Sequence, residues 1–321
     1  MTPLFRIRAD GGDATAAIAD RLISLTLDDG DGMEADTLEL VLDNRDRRVD
    51  EPATGARLDV ALGFAGAPLV AMGLYTVNAV AGEGPLETLT IRAEAADLAG
   101  PIRSPRTETW EATTLPAIVE RIAARAGLAP FVSPRLRDVA IPYEAQTAES
   151  DLHFLTRLAR RFDAIAKPAG GRLVVAGRAE GTGPALLVAR AEAVSWSWEA
   201  GARERYARVE ARWADVDGGR ERIVTVGAGE PVRELRRVHP SEREAREAAE
   251  AELARAGRGE RTWQAALQSF RGDLHGGARV ELAGFGPSMD GAGVVRRVRH
   301  LLDGEGLRTE VEGARTAEGA A

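Results

Sequence analysis

The histidines are the first side chains to consider for catalysis or metal binding, and they are scattered. The sequence contains four of them, at His153, His239, His275 and His300. None stands in an HExxH, HxH or Ser-His-Asp arrangement, which would bring ligands or a base and nucleophile together. His275 could join Asp273 and Asp290 at a metal, but an exposed loop histidine is the favoured interpretation. His153 is interpreted as a surface or interface residue, so we expect neither a catalytic residue nor a metal site.

Cysteine and lysine usage excludes further chemistry. The chain has no cysteine, and Lys167 is its only lysine. Thiol nucleophiles, iron–sulfur clusters and zinc–cysteine sites are therefore impossible. A Walker A loop needs a Gly-Lys-Ser/Thr step that is absent, and Schiff-base chemistry would depend on Lys167 alone. We expect no cofactor.

Acidic pairs are the next candidates, because two carboxylates in one cleft can cleave a glycosidic bond. Asp28 with Asp29, and Glu34 with Asp36, are such pairs, but nothing in the sequence places them in a shared cleft. The Asp-Gly-Asp-Gly run at 29–32 lacks the later ligands of a calcium loop, including the glutamate at its twelfth position. It is interpreted as a turn.

Trp196 and Trp198 have the spacing of residues on one face of a strand. Such a pair could stack on sugars or bases, although a role in the core or at a subunit interface is favoured.

The net charge of −8 argues against general affinity for nucleic acid, which requires clustered lysine and arginine. The N-terminus lacks the pattern of a signal peptide, and no window approaches the ~18 unbroken apolar residues of a membrane span. We therefore expect no membrane insertion by this chain.

One stretch occurs twice. Gly55 to Phe64 reads GARLDVALGF, and Gly277 to Phe285 reads GARVELAGF. In both copies a glycine step, a strand-like run, a Gly-Glu-Gly turn and a second strand follow. The offset of about 220 residues is far longer than a solenoid repeat, so we predict two copies of one β-unit at opposite ends of the chain.

Three domains and a tail are predicted. Short alternating strands separated by turn residues indicate a first tube-like β-barrel domain over 1–100. Residues 101–180 are predicted to form a small α+β middle domain. Residues 181–313 are predicted to form a second barrel domain with one helix at about 241–256, and 314–321 a flexible tail. The fold class is therefore mainly β with an α+β insertion.

Capping residues locate the helices. Thr113-Thr114 precedes an amphipathic run that contains Pro116 and ends at Gly127. Thr147 or Ser150 is expected to cap a second helix, whose buried stripe includes Leu152 and Phe162. Ser241 to Glu244 has the pattern of a capping box, and the thin alanine stripe behind it suits a helix lying flat on a sheet.

The second helical segment resembles a known family. Residues 146–158 are similar to the Gln-x-x-Glu-Ser-Asp-x-x-Phe-Leu-x-Arg-Leu motif of phage late control D proteins, the baseplate hub family of contractile tails, which is related to the N-terminal hub part of VgrG. The motif positions are Gln146, Glu149, Ser150, Asp151, Phe154, Leu155, Arg157 and Leu158. The resemblance extends over nearly the whole chain. The needle-like β-helix of a full VgrG is absent, so a separate spike protein is expected.

The resemblance implies a structural, non-enzymatic role. Hubs of this kind are homotrimers whose subunits each supply two tube-type barrels, so three chains make a pseudo-hexameric ring. The implied partners are the tail tube protein, a spike protein trimer and other baseplate proteins, with DNA only in transit. The implied location is the virion tail baseplate after assembly in the bacterial host cytoplasm. The net charge adds the hypothesis that acidic side chains line the channel.

Three alternatives stay open at the level of sequence. The chain could be the hub of a domesticated contractile injection system or of a gene-transfer particle. It could instead be a particle-borne cell-wall hydrolase, although no acid, base and nucleophile constellation supports this. A carbohydrate-binding β-module using Trp196 and Trp198 is the third.

Overall fold

The computed structural model describes residues 1–31, 36–95, 101–169, 171–177, 180, 184–200, 206–215, 218–258 and 261–315. Strands dominate, as predicted, with a few helices. Within this part of the chain no helix is both long and apolar enough to cross a bilayer.

The first β-unit, residues 1–95, alternates buried and exposed side chains. Leu38, Leu40 and Leu42 are each at most 1% exposed, which confirms the predicted period-2 strand. The turn predicted at 29–32 does not begin at Asp29, because the preceding strand continues through Asp29 to Gly30. The elements are β1 (Pro3–Ala9), β2 (Gly12–Asp13), the short α1 (Thr15–Ile18), β3 (Leu22–Gly30), β4 (Thr37–Asp43), β5 (Arg57–Phe64), β6 (Val70–Glu83) and β7 (Thr88–Ala95).

The middle unit, residues 101–177, contains two capped helices. The elements are β8 (Pro105–Thr114), α2 (Leu115–Ala126), β9 (Ala129–Val132), β10 (Ala140–Ser150), α3 (Asp151–Arg160), β11 (Ala164–Ala169) and β12 (Arg172–Gly177). The Thr114 side chain accepts a hydrogen bond from the Ala117 N–H, and Gly127 ends α2 with φ 70°. Ser150 caps α3. Both predicted helices are confirmed, and residues 146–149 belong to the preceding strand.

The last β-unit runs from residue 184 to 315 and contains an inserted unit, residues 206–258. Its own strands are β13 (Leu186–Ala189), β14 (Ala193–Glu199), β18 (Thr262–Leu267), β19 (Arg279–Ala283), β20 (Gly291–Asp303) and β21 (Gly306–Arg315). The inserted unit consists of β15 (Arg208–Asp215), β16 (Arg220–Gly227), β17 (Val232–His239) and α4 (Glu242–Arg258). Strand β21 includes the first two residues of the predicted tail, and 316–321 lie outside the described residues.

Strands from both ends of the chain share one 13-stranded sheet. Its main path is β14-β18-β21-β20-β3-β4-β7-β6-β5-β1-β2, and β19 and β13 extend from β20. The two β-units join where β20 pairs antiparallel with β3, with Arg299 opposite Asp28. Small sheets of two and three strands make up the middle and inserted units.

The two β-units repeat several local irregularities. Gly55 and Gly277 both have positive φ, 95° and 85°. The Gly55 N–H donates to the Val77 carbonyl at 2.8 Å, and the Gly277 N–H donates to the Val295 carbonyl at 2.9 Å. A bulge follows each acceptor, between Val77 and Ala79 in β6 and between Val295 and Arg297 in β20. The repeated sequence therefore adopts the same turn and the same bulge.

The described residues form four hydrophobic cores. One lies mainly in the first β-unit and also includes Leu302 and Leu307 of the last β-unit. The other three lie in the middle unit, the last β-unit and the inserted unit. In the inserted unit Ala245 and Ala249 of α4 are fully buried, which confirms a helix lying on a sheet through an alanine face. The domain boundaries at 100, 180 and 313 stay a prediction.

Candidate functional site

The family-like motif forms the junction between β10 and α3. The register of β10 on β8 shifts between Gln146 and Glu149, and Ala148 in that bulge has φ 48°. Ser150 then caps α3 by accepting a hydrogen bond from the His153 N–H at 3.2 Å. The bulge and cap turn the chain sharply from strand to helix, and they bring the polar motif residues to one place.

Gln146 and Asp151 form the buried centre of this junction. They are 0% and 1% exposed. The Gln146 Nε2 donates to Asp151 Oδ1 at 2.9 Å and to the Glu149 carbonyl at 3.0 Å. Arg125 of α2 donates to the same Asp151 oxygen at 3.2 Å, and Arg106 lies 3.4 Å from the other. A buried carboxylate requires such compensation, so this centre ties β8, α2 and α3 together.

Arg157 connects the same junction to its surroundings. Its guanidinium reaches Glu144 at 2.5 Å, Glu149 at 2.6 Å and the Ala145 carbonyl at 2.8 Å. Burial raises the pKa of Glu149, but the Arg157 guanidinium lowers the pKa by a larger amount, so the net shift is downward. Arg161 then bridges Glu144, at 2.5 Å, and Glu244 of α4, at 2.9 Å. Glu244 therefore holds the inserted unit against the middle unit.

The apolar motif residues of α3 pack into the hydrophobic core of the middle unit. Phe154, Leu155 and Leu158 are fully buried, and Phe154 stacks on Trp110 with ring centroids 5.8 Å apart. The guanidinium groups of Arg121 and Arg125 lie 5.1 and 5.6 Å from the Trp110 ring centre. The structure thus brings all eight motif residues together as a structural element. Sequence reasoning missed their partners Arg106 and Arg125, which lie in β8 and α2.

A second polar cluster lies where three units meet, and we call it the Lys167 junction. Lys167 of β11 is 7% exposed. Its Nζ donates to Asp29 Oδ1 at 2.5 Å, to the Gly30 carbonyl at 2.7 Å and to Asp36 Oδ1 at 2.8 Å. Its three N–H groups are therefore all used. On the last β-unit, Gly276 lies against Gly30 so closely that a Cβ would be 2.3 Å from the Gly30 carbonyl carbon.

The charges of the Lys167 junction are strongly coupled. Burial, and then repulsion from Asp29, raise the pKa of Asp36 to about 7, although Lys167 opposes this shift. Burial lowers the pKa of Lys167, but its two carboxylate partners raise it more, so the ammonium stays charged. The junction therefore carries one cation shared by two carboxylates, of which Asp36 takes up a proton near neutral pH.

The raised pKa of Asp36 predicts a pH dependence of stability. A folded-state pKa above the usual 3.8 means that the folded chain binds the proton more tightly than the unfolded chain. The associated stability is complete below pH ~4 and is lost as pH rises through ~7, with a slope of at most about 1.4 kcal/mol per pH unit. In urea denaturation, Asp36→Asn should remove this decline. The exposed control Asp50→Asn should leave it, and equal slopes in both variants would contradict the assignment.

The other candidates from the sequence are not brought together. Asp28 pairs with Arg297 and Arg299, while its neighbour Asp29 turns to Lys167. Glu34 lies outside the described residues. Asp273 pairs with Arg271, and Asp290 accepts the Phe285 N–H at 2.7 Å. No group of metal-ligating side chains occurs among the residues that the structure describes.

The histidines and tryptophans have ordinary surroundings. His153 is 61% exposed beside Glu149, as expected for a surface residue. His300 is buried against Phe270 and Thr309, and this burial lowers its pKa to about 4. Trp196 contacts Phe285 edge to face, with centroids 5.7 Å apart. Phe285 belongs to the hydrophobic core of the last β-unit, and its repeat counterpart Phe64 packs against the core of the first.

Comparison with known proteins gives consistent matches. The family model described as phage tail baseplate hub (GPD) matches residues 37–305. The probable baseplate hub protein of Escherichia phage P2 is 30% identical over 359 aligned positions, which cover 97% of this chain and 93% of that protein.

Solved structures share the fold. The 43 kDa tail protein of prophage MuSo2 from Shewanella oneidensis has a TM-score of 0.73 at 14% identity, covering 98% of this chain and 99% of that one. A type VI secretion system component from E. coli has a TM-score of 0.57 at 12% identity, covering 93% of this chain and 74% of that one. At these identities the likeness is one of fold.

Proposed function

The chain belongs to the phage tail baseplate hub (GPD) family, and from this premise we propose that three copies form a ring joining the tail tube to the spike. The family assignment makes the chain a structural protein of the tail baseplate hub. It confirms the resemblance carried by residues 146–158. The proposal goes beyond this family role in three respects. It states that the ring is a trimer, that the ring binds the tube and spike proteins, and that DNA passes through it.

The observation that carries the proposal is the side-by-side joining of two similar β-units in one sheet. Both units have the same turn at Gly55 and Gly277 and the same bulge after Val77 and Val295. They meet through β20 and β3. Two such units per chain support an internal duplication, and three chains would then present six similar units to a hexameric tube.

The polar face of the shared sheet would line the central channel. Along this face Glu39 pairs with Arg92 at 2.8 Å, and Asp28 pairs with Arg297 and Arg299. Glu310 and Glu312 of β21 add further carboxylates near the same strands. Arg92, Arg297 and Arg299 are each paired with a carboxylate, so their charges are compensated rather than offered to phosphates. This supports a channel through which DNA slides. A net basic lumen in the assembled ring would contradict this part of the proposal.

The proposal includes the absence of catalysis, in keeping with a family of structural hub proteins. Three buried groups that could act as an acid or base have structural partners instead: Asp151 accepts from Gln146, Lys167 donates to Asp36, and His300 contacts Thr309. A peptidoglycan zymogram with the purified protein tests the alternative, a cell-wall hydrolase. A cleared band at the mass of this chain would favour that enzyme.

Native mass measurement tests the trimer. Coexpressed with its neighbouring tube and spike proteins, the chain should elute in a complex containing three copies of its 34.2 kDa mass. Intact-mass analysis gives the stoichiometry. A chain that stays monomeric alone and in the presence of both neighbours would overturn the proposal. Nucleic acid content of the particle would separate a phage or gene-transfer particle from an injection system.

A further inference from the structure

The junction between β20 and β3 has an uncovered counterpart elsewhere on the chain. The second half of β20, Arg297 to Leu302, pairs with β3. In the first β-unit the matching half of β6, Ala79 to Glu83, pairs with β7 on one side, and no described strand pairs with its other side. Strand β14, the counterpart of β3, is likewise the outer strand at one end of the sheet.

Register establishes which residues correspond. The paired positions across four strands run Val80, Ile91, Leu40 and Leu25 in the first β-unit, and Val298, Val311, Ala265 and Trp196 in the last. A bulge also recurs, between Leu22 and Ser24 in β3 and between Ala193 and Ser195 in β14. Ala81 and Arg299 directly follow the matched residues Val80 and Val298, so they correspond to each other. Glu199 and Asp28 lie equally far beyond the matched residues Trp196 and Leu25, so they also correspond.

At the corresponding positions, the residues of the free strand edges are more exposed than those of the paired strands β3 and β20. This is the difference expected if the free edges lack a neighbouring strand. Leu27 of β3 is 2% exposed, whereas the corresponding Trp198 of β14 is 43% exposed. Val298 is fully buried, and its counterpart Val80 is only partly buried. Open grooves of about 520 and 410 Å³ run beside β14, lined in part by Trp196, Ser197 and Trp198. An unpaired strand edge next to exposed tryptophan is a surface suited to a further strand.

We propose that β6 of one copy pairs antiparallel with β14 of the next copy, in the register that β20 and β3 use within the chain. Ala81 then lies opposite Glu199, and Glu83 lies opposite Ser197. The occupant of each edge is a second copy of this chain, because the chain already contains the same pairing between its own two β-units. This inference rests on the proposed ring and specifies the contact that closes it.

The two kinds of junction would differ in charge. Within the chain, Asp28 faces Arg297 and Arg299. Between copies, Glu199 would face Ala79 and Ala81, so no ion pair forms at the same place. The in-chain junction is thus fixed by charge, and the junction between copies depends on strand pairing and on burial of Trp198.

Cysteine cross-linking tests the register directly, since the natural chain has no cysteine. The two matched variants are Ala81→Cys with Glu199→Cys, and Glu83→Cys with Ser197→Cys. The two controls exchange partners: Ala81→Cys with Ser197→Cys, and Glu83→Cys with Glu199→Cys. Each is coexpressed as the full chain with the tube and spike proteins and oxidised. Matched pairs should link copies into covalent dimers and trimers at least about tenfold more than the controls, because a two-residue offset separates Cα atoms beyond ordinary disulfide reach.

The outcomes separate this inference from the proposed function. Trimers by native mass in which the controls link as well as the matched pairs, or in which no pair links, would overturn the register and leave the ring intact. A monomer by native mass would overturn the ring itself. Linkage confined to the matched pairs supports both.

A charge substitution gives an independent measurement. Ala81→Arg places a guanidinium where Arg299 stands beside Asp28, so it should lower the concentration for half-assembly by about two- to fivefold per contact. Combining it with Glu199→Gln should remove that gain. The register would be contradicted if Ala81→Arg did not lower the concentration for half-assembly. It would also be contradicted if the lowering persisted when Glu199→Gln is added.

Discussion

Lys167→Met should lower the free energy of unfolding by about 3–5 kcal/mol, since removing one partner of a buried ion pair leaves the other charge uncompensated. The ammonium is the shared partner of Asp29 and Asp36, both of which are largely shielded from water. Methionine keeps most of the volume, so the loss reports the charge rather than a cavity. Urea denaturation at a fixed protein concentration and pH 8 gives the value.

Two comparisons make the Lys167→Met result specific. Its cost should shrink toward pH 5, because Asp36 then carries a proton and one negative charge disappears. Adding Asp29→Asn and Asp36→Asn should restore most of the lost stability, since no buried charge remains. A cost below about 0.5 kcal/mol, the range of ordinary surface substitutions, would show that the junction does not hold the units together.

Asp151→Ala should also cost about 3–5 kcal/mol, because it removes the acceptor shared by Gln146 and Arg125 at a fully buried position. The loss should appear in the middle unit, where Trp110 lies beside Arg125. Urea denaturation followed by tryptophan fluorescence and by circular dichroism measures it.

The control for Asp151→Ala is an acidic residue of the same unit that is exposed. Glu120→Ala on α2 should change stability by less than about 0.5 kcal/mol. Asp151→Asn retains one acceptor for Gln146 but loses the charge that compensates Arg125, so its cost should be intermediate. Equal costs for Asp151→Ala and Glu120→Ala would mean that the motif is not a stabilising centre.

The sequence predicted the local parts of the fold and the family motif. Thr114, Pro116 and Gly127 fix the bounds of α2 because capping and proline geometry act within a few residues. The alternation of Leu38, Leu40 and Leu42 identified a strand for the same reason. The repeat at Gly55 and Gly277 predicted matching turns, because a glycine at positive φ suits both.

Partners distant in sequence could not be predicted in this way. The sequence identified Lys167 only as the single lysine, and it predicted that Asp29 lies in a turn. The contact of Lys167 with Asp29 and Asp36 spans 138 and 131 residues. The one available signal was the position of Lys167 in an apolar strand segment, since a lysine buried there needs a carboxylate partner.

By itself the sequence determined the β-rich class, the three main helices, the repeated turn and the baseplate hub motif, because each depends on neighbours along the chain. Only the tertiary structure decided that β20 pairs with β3, that the two β-units share one sheet, and that Lys167 lies where three units meet. A period of two assigns the faces of a strand but does not choose its neighbour, which depends on the packing of the whole chain.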